Sequence, residues 1–222
     1  MSVPASLDAA RAGEIFERLL VEHGEQHWWP AETPFEVMLG AILIQNTRWR
    51  NVERALGRLR DAGLLGAVEL AALPPETLAE HLRPVGYYNL KARRVAGFAD
   101  WYLARGGYEG LRLHETAHLR EALLAVDGVG PETADDILLY AFERPVFVID
   151  AYTRRLFGRL GLLPEKAAYE RLRRAFEACL PPDAYHYGEY HALIVAHAKA
   201  LCRPRPRCVA CPLRSDCPAG GD

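Results

Sequence analysis

Val126-Asp127-Gly128-Val129-Gly130-Pro131-Glu132-Thr133-Ala134, with Pro145 and Val148-Ile149-Asp150 beyond it, is the stretch that decides the fold. Ala117 to Val126 carries apolar residues at helical spacing. Asp127 to Gly130 reads as a tight turn. Pro131 then opens a second helix, with Glu132 and Asp135 in its first turns, where carboxylates suit the positive end of the helix. Two helices joined by Gly-Val-Gly have a physical use. The glycines permit unusual backbone angles and let the main chain approach a ligand closely. Their amides, beside a helix N-terminus, attract a phosphate oxygen. Such a hairpin grips DNA by its backbone and reads no base sequence. In these residues alone, an ordinary helix–helix turn would look the same.

Working outward, the pattern stays helical. Ile15, Phe16, Leu19 and Leu20 recur at helical spacing. Thr33-Pro34-Phe35-Glu36 supplies a cap, a first-turn proline and a capping-box glutamate to a helix whose buried stripe is Met38, Leu39, Ile42 and Leu43. Thr47 suits the cap of a helix carrying Val52, Leu56 and Leu59, and Asn89 the start of one running towards Trp101. Pro145 to Asp150 is the single strand-like stretch, too short to make a sheet alone. Asp150 stands where the N-cap of a further helix belongs. A long helix from about Pro182 to Ala200 leads into four closely spaced cysteines. The expected class is all-α.

Composition sets bounds. Half of the 222 residues are hydrophobic, which marks a globular chain. No apolar run reaches the roughly 18 residues that span a bilayer. Met1 to Ala10 lacks the charged and apolar regions of a secretion signal, so a cytoplasmic, nucleoid-associated protein without membrane contact is expected. The net charge of −2 argues mildly against nucleic acid. The local field matters more for docking, and basic residues cluster at Arg48, Arg50 and Arg54, at Lys91, Arg93 and Arg94, and at Arg203, Arg205 and Arg207. Of five cysteines, Cys179 stands in an apolar context and reads as core. Cys202, Cys208, Cys211 and Cys217 have gaps of five, two and five residues. In a chain without a secretion signal such a cluster suggests metal rather than disulfides. From spacing alone, zinc and a four-iron cluster both fit.

The chain resembles the helix-hairpin-helix superfamily of base-excision DNA glycosylases, the endonuclease III type. The hairpin signature through Asp150 carries the resemblance. So do Gln45-Asn46-Thr47, Gly86-Tyr87-Tyr88-Asn89-Leu90-Lys91-Ala92, and His197-Ala198-Lys199 followed by the cysteines. It implies a two-lobed helical fold, with 1–30 and 146–222 forming a terminal lobe, 31–145 a second lobe, and the hairpin at 117–142. It implies a [4Fe-4S] cluster on Cys202, Cys208, Cys211 and Cys217 within the loop 202–217, and a monovalent cation at the hairpin. The first cysteine gap is five here where the family usually has six.

The resemblance also assigns roles. Asp150 matches the essential aspartate, whose carboxylate stabilises positive charge left on the sugar or activates water. Bifunctional members follow Gly-x-Gly-x-Lys-Thr-Ala, and that lysine forms a Schiff base with the sugar. Glu132 stands in its place. Lys91, Lys166 and Lys199 are the only lysines in the chain, and Lys91 matches a neighbour of the nucleophile. A monofunctional glycosylase, without strand cleavage, is therefore expected.

Gln45 and Tyr87 fall on the loops that fill the gap left by a flipped nucleotide. Gly128, Gly130, Arg203, Arg205 and Arg207 are expected to meet DNA phosphate. His27-Trp28-Trp29-Pro30, with Trp49, looks like the alkylpurine branch that includes the 3-methyladenine glycosylases; an alkylated, cationic purine is attracted to an aromatic face. Plain core packing would use the same tryptophans. The expected partner is double-stranded DNA containing damaged bases, bound by a monomer. Two other readings stand beside this one. The first is a glycosylase of the same fold for oxidised or mismatched pyrimidines. The second is a cluster-bearing DNA-binding protein with little catalysis.

Overall fold

The structure is a computed structural model that describes residues 7–220. Residues 1–6, where the reading for a secretion signal begins, and residues 221–222, at the end of the expected terminal lobe, lie outside the described residues. The fold is all-α. Its helices are α1 (Ala9–His23), α2 (Pro34–Leu43), α3 (Trp49–Asp61), α4 (Ala67–Ala72), α5 (Pro75–Leu82), α6 (Tyr88–Ala104), α7 (Gly107–Leu111), α8 (Thr116–Leu124), α9 (Pro131–Asp136), α10 (Ala151–Arg159), α11 (Tyr169–Cys179) and α12 (Ala184–Ala200). There is no strand among the described residues. The chain divides into two compact units. Among the described residues, those up to Trp28 and from Glu143 onward form one, and Trp29–Phe142 form the other.

The axis of the internal unit is α2. Thr33 Oγ1 accepts the Glu36 N–H at 3.1 Å, and Pro34 occupies the first turn. Phe35 to Leu43 are all buried. A helix apolar on every side belongs inside a core, and α2 packs against α3, α6, α9 and the π-helical turn Ile137–Ala141. Glu36 departs from the capping box. Its carboxylate accepts the N–H of Glu32 (3.0 Å) and pairs with Arg60. At 3% exposure a carboxylate needs a charged partner, and Arg60 supplies it. Thr47 does not cap α3: Arg48 holds that position, and the Thr47 hydroxyl accepts from the Asn51 amide at 3.0 Å.

The terminal unit is packed on aromatic rings. Phe147 stacks on Phe176 at 4.1 Å between centroids, and Phe157 meets Phe176 edge-on at 4.7 Å. The Tyr190 hydroxyl donates to the Ala12 carbonyl at 2.8 Å and so ties α12 to α1. Val146 to Ile149 are buried but belong to no helix or strand. Buried backbone groups still need partners, and here side chains supply them. Phe147 N–H donates to Glu177 Oε1 (3.1 Å) and Ile149 N–H to the Tyr169 hydroxyl (3.3 Å). This segment delivers Asp150 to the start of α10.

Candidate functional site

The hairpin in the internal unit joins α8 to α9. Gly128 lies at φ +81, a conformation that favours glycine. Its Cα also faces the Arg94 guanidinium so closely that a Cβ there would collide with it. Gly130 differs from the expectation. Its backbone is extended, φ −92 and ψ 179, as any residue can be. A Cβ on Gly130 would meet nothing within 4 Å. The first glycine is required by the fold; the second leaves open space on the hairpin. Asp135 is fully buried and takes a two-pronged pair from Arg120, at 2.6 and 3.1 Å, which fixes α9 on α8. Glu132 is exposed in the first turn of α9.

Gln45 is turned towards this hairpin. Its Nε2 donates to the Gly128 carbonyl (2.9 Å) and to Thr133 Oγ1 (3.0 Å), while Arg94 Nη1 donates to its Oε1 (3.2 Å). Lys91 anchors the same loop from below. Its ammonium donates to the carbonyls of Leu43 (2.9 Å), Gln45 (2.8 Å) and Val85 (3.1 Å), and the residue is only 3% exposed. Burial, helped by the Arg94 charge, pushes its amine down to about 8. Lys91 thus clips the Gln45 loop to the loop that carries Tyr87. Tyr87 has φ +46 and 74% exposure. A tyrosine held in that strained region and presented to solvent is the kind of residue that functional sites retain. Asn46, beside Gln45, is also left-handed, at φ +55.

The tryptophans fall on both units. In the internal unit Trp29 meets Trp49 edge-on, with ring centroids 5.2 Å apart, and Tyr140 at 5.3 Å. Trp29 packs against α2 at Gly40, where a Cβ would sit 2.9 Å from the indole. Trp29, Trp49 and Tyr140 are all half-buried. Tyr140 was not singled out in the sequence, because an aromatic inside a helical run gives no sign of the face it takes. Trp28 belongs to the terminal unit and is half-buried there. The turn before it is fixed by Glu189 of α12, whose carboxylate accepts the N–H groups of Gln26 and of His27 (3.1 Å for the latter).

Asp150 caps α10. Its Oδ1 accepts the Thr153 N–H at 2.7 Å, and Oδ2 faces His191 Nε2 at 3.7 Å. Burial alone would raise the carboxyl; His191 and Thr153 outweigh it and hold Asp150 below the ordinary carboxylate range. The carboxylate is charged at neutral pH while only 8% exposed. Lys199 completes the surroundings. Its amine is lowered by desolvation and pulled back up by Asp150, and it lies 5.8 Å over the Tyr152 ring. His191 stands in the middle of a helical run, where its residue type alone marks no site. Its distance from Asp150 along the chain concealed the contact.

The four late cysteines line one pocket that is partly open to solvent, together with Leu156, Arg159 and Leu213. None is in a disulfide. Burial raises the Cys211 and Cys217 thiols, and their cysteine neighbours raise them further. Among the described residues no three His, Cys, Asp or Glu side chains are grouped so as to hold a metal ion. Arg159 Nη1 donates to Cys202 Sγ (3.3 Å), and His197 Nε2 lies 3.5 Å from Cys211 Sγ. Burial and nearby His23 push the His197 imidazole down to about 4. Arg203, Arg205 and Arg207 are exposed along the loop. Cys179 is half-buried rather than core, and its thiol donates to the Leu7 carbonyl at 3.1 Å.

Residues 39–182 match the family described as HhH-GPD superfamily base excision DNA repair protein. The Methanocaldococcus jannaschii protein named "Putative DNA repair glycosylase MJ1434" is 47% identical over 207 residues, covering 92% of this chain and 94% of its own length. The H. pylori 3-methyladenine DNA glycosylase, crystallised with 1,N6-ethenoadenine, is 30% identical; the match covers 87% of this chain and 98% of that one, at a TM-score of 0.75. An endonuclease III in non-covalent complex with DNA shares the fold, at 21% identity and TM-score 0.83, over 96% of this chain and 97% of its own. Among the described residues, no helix is long and apolar enough to cross a membrane.

Proposed function

This chain belongs to the HhH-GPD superfamily of base excision DNA repair proteins and is a DNA glycosylase of that family; on that premise, we propose that it is monofunctional and removes alkylated purines such as 3-methyladenine from duplex DNA. The half-buried set Trp29, Trp49 and Tyr140 carries this reading. Rings that belonged only to the core would be closed off. Rings left half open offer a π-face to a base that has left the stack. A cationic purine on such a face gains about 0.5–2 kcal/mol, more when dry. An alkylated purine is already a good leaving group, so the protein need supply little acid.

Asp150 takes the chemical role in this proposal. Breaking the glycosidic bond leaves positive charge on the sugar, and a fixed, ionised carboxylate stabilises it or orients the attacking water. Oδ1 is committed to the helix cap, so Oδ2 is the oxygen that acts. The monofunctional mode rests on the lysines. Glu132 replaces the usual nucleophile, Lys91 is locked under three carbonyls, and Lys166 lies exposed between α10 and α11. Tyr87 is the better wedge of the two, since Gln45 would have to give up three hydrogen bonds to leave the hairpin.

The cysteine set fits a [4Fe-4S] cluster on Cys202, Cys208, Cys211 and Cys217. Four free thiols line one pocket. When bound, such a cluster supplies four thiolate links that hold the loop in shape. The loop then presents Arg203, Arg205 and Arg207 to phosphate. The chain acts on damaged duplex as a monomer.

The test is base release from methylated duplex by wild type and Asp150→Asn, with strand cleavage and borohydride trapping followed in parallel. Asparagine keeps the helix cap, so the fold should stay and release should fall by about 10²-fold or more. Release of 3-methyladenine without cleavage or trapping is the expected result. A trapped adduct would end the monofunctional reading and point to Lys199. Release of oxidised pyrimidines in place of alkylpurines would end the substrate reading. Wild type that binds duplex but releases no base would favour a DNA-binding protein without chemistry.

A further inference from the structure

Arg159 of α10 donates to the cysteine loop, and a pair of imidazoles ends against the same loop. His23, at the C-terminal end of α1, places Nε2 3.0 Å from His197 Nδ1. The other nitrogen of His197 lies 3.5 Å from Cys211 Sγ. The two rings meet edge-on, 5.3 Å apart at 67°. His197 is fully buried, and His23 is half-exposed. The same helix α1 is pinned to the far end of the loop. Arg18 pairs with Asp216 and donates to Ser215 Oγ at 3.0 Å, and Arg11 adds a second contact to Asp216 at 3.6 Å. His23 therefore rides on a helix fixed to the loop it serves.

A neutral imidazole donates from one nitrogen and accepts at the other. A coordinating thiolate only accepts. If the proton of His197 sat on Nδ1, the Nε2 lone pair would face the sulfur and nothing would join them. The wiring that satisfies both contacts runs one way. His23 Nε2–H donates to His197 Nδ1, and His197 Nε2–H donates to Cys211 Sγ.

We propose that His197 is a positioning residue for the cluster, delivering one N–H to the Cys211 thiolate with its tautomer fixed by His23, and that this hydrogen bond sets the reduction potential of the site. The inference rests on the reading of the four cysteines as cluster ligands. Its physical basis is general. Hydrogen bonds to cluster sulfurs stabilise the charge added on reduction and raise the potential. One electron enters, no bond to histidine breaks, and no proton is transferred.

The test is film voltammetry of the intact, iron-loaded protein, comparing wild type with His197→Phe, His197→Gln and His23→Leu. The visible absorption band reports the cluster in each. His197→Phe should favour the oxidised form about threefold, or ~30 mV more negative at 59 mV per decade for one electron. His197→Gln, whose amide reaches the Nε2 position, should recover most of the shift. His23→Leu should move the same way by less. A brown His197→Phe protein at the wild-type potential overturns the relay alone. If His197→Phe loses its iron on purification, His23→Leu decides, and an unchanged potential there overturns the proposal. Colourless, iron-free wild type overturns the cluster reading, and the relay with it.

Discussion

The hairpin takes its partners from the chain itself. Buried Asp135 has Arg120, the Gly128 carbonyl has Gln45, and three loop carbonyls share Lys91. The cysteine loop of the terminal unit is arranged differently. Short 3₁₀ turns at Cys208–Ala210, Arg214–Asp216 and Pro218–Gly220 wrap a pocket lined by the four thiols among leucines and arginines, and Arg159 and His197 lie against sulfur. One region meets most of its polar groups internally, buried Arg94 Nε being an exception. The other sets an arginine and a histidine against cysteine sulfur. The difference teaches where each kind of order comes from, and it can be broken experimentally.

The largest effect should follow removal of iron. Chelation of the unfolded-and-refolded protein, read by hydrogen exchange, should abolish amide protection across 201–217 and leave it intact across 116–141. Metal-linked sites draw their folding energy from the bound group, whereas no cysteine lies in the hairpin. Full protection of the loop in iron-free protein would remove the contrast between the two regions.

The two regions were also unequally legible in the sequence. The hairpin was plain because its signals are local: a turn, a proline and a helical stripe within a few residues. The all-α class, Thr33 as a cap and Asp150 at the head of α10 were legible for the same reason. What could not be read depends on contacts far apart in the chain. Lys91 meets carbonyls 48 and 46 residues away, His23 meets His197 across 174, and His191 meets Asp150 only through the packing of α12 on α10. Gln45 was read by position on its loop, and its side chain turned to the hairpin because Gly128 and Thr133 offered an acceptor apiece.

A smaller effect sharpens the claim of self-sufficiency. Lys91→Met removes three hydrogen bonds to buried carbonyls and should cost about 2–4 kcal/mol in urea unfolding. The pH dependence adds a signature. The amine titrates at about 8 in the folded protein and at its ordinary 10.5 when unfolded. Between those values the unfolded chain binds more protons, so stability rises with pH across that window. The rise should be present in wild type and missing from Lys91→Met. A variant as stable as wild type, with the same rise, would show that the carbonyls never depended on Lys91.

The smallest effects separate the two glycines of the hairpin. Gly128 is held at φ +81 against Arg94, so Gly128→Ala strains the backbone and displaces the guanidinium that steadies Gln45. It should cost about 1–2 kcal/mol. Gly130 is extended with open space where a Cβ would go. Gly130→Ala should leave stability within about 0.5 kcal/mol of wild type. If that space exists for the DNA backbone, the same methyl should still weaken duplex binding severalfold, measured at fixed salt because phosphate contacts are screened. The pair of variants thus divides one motif into a glycine required by the fold and a glycine required by the ligand. Equal losses of stability at both positions would show that the hairpin needs both for its own conformation, and that the open side of Gly130 has no bearing on DNA.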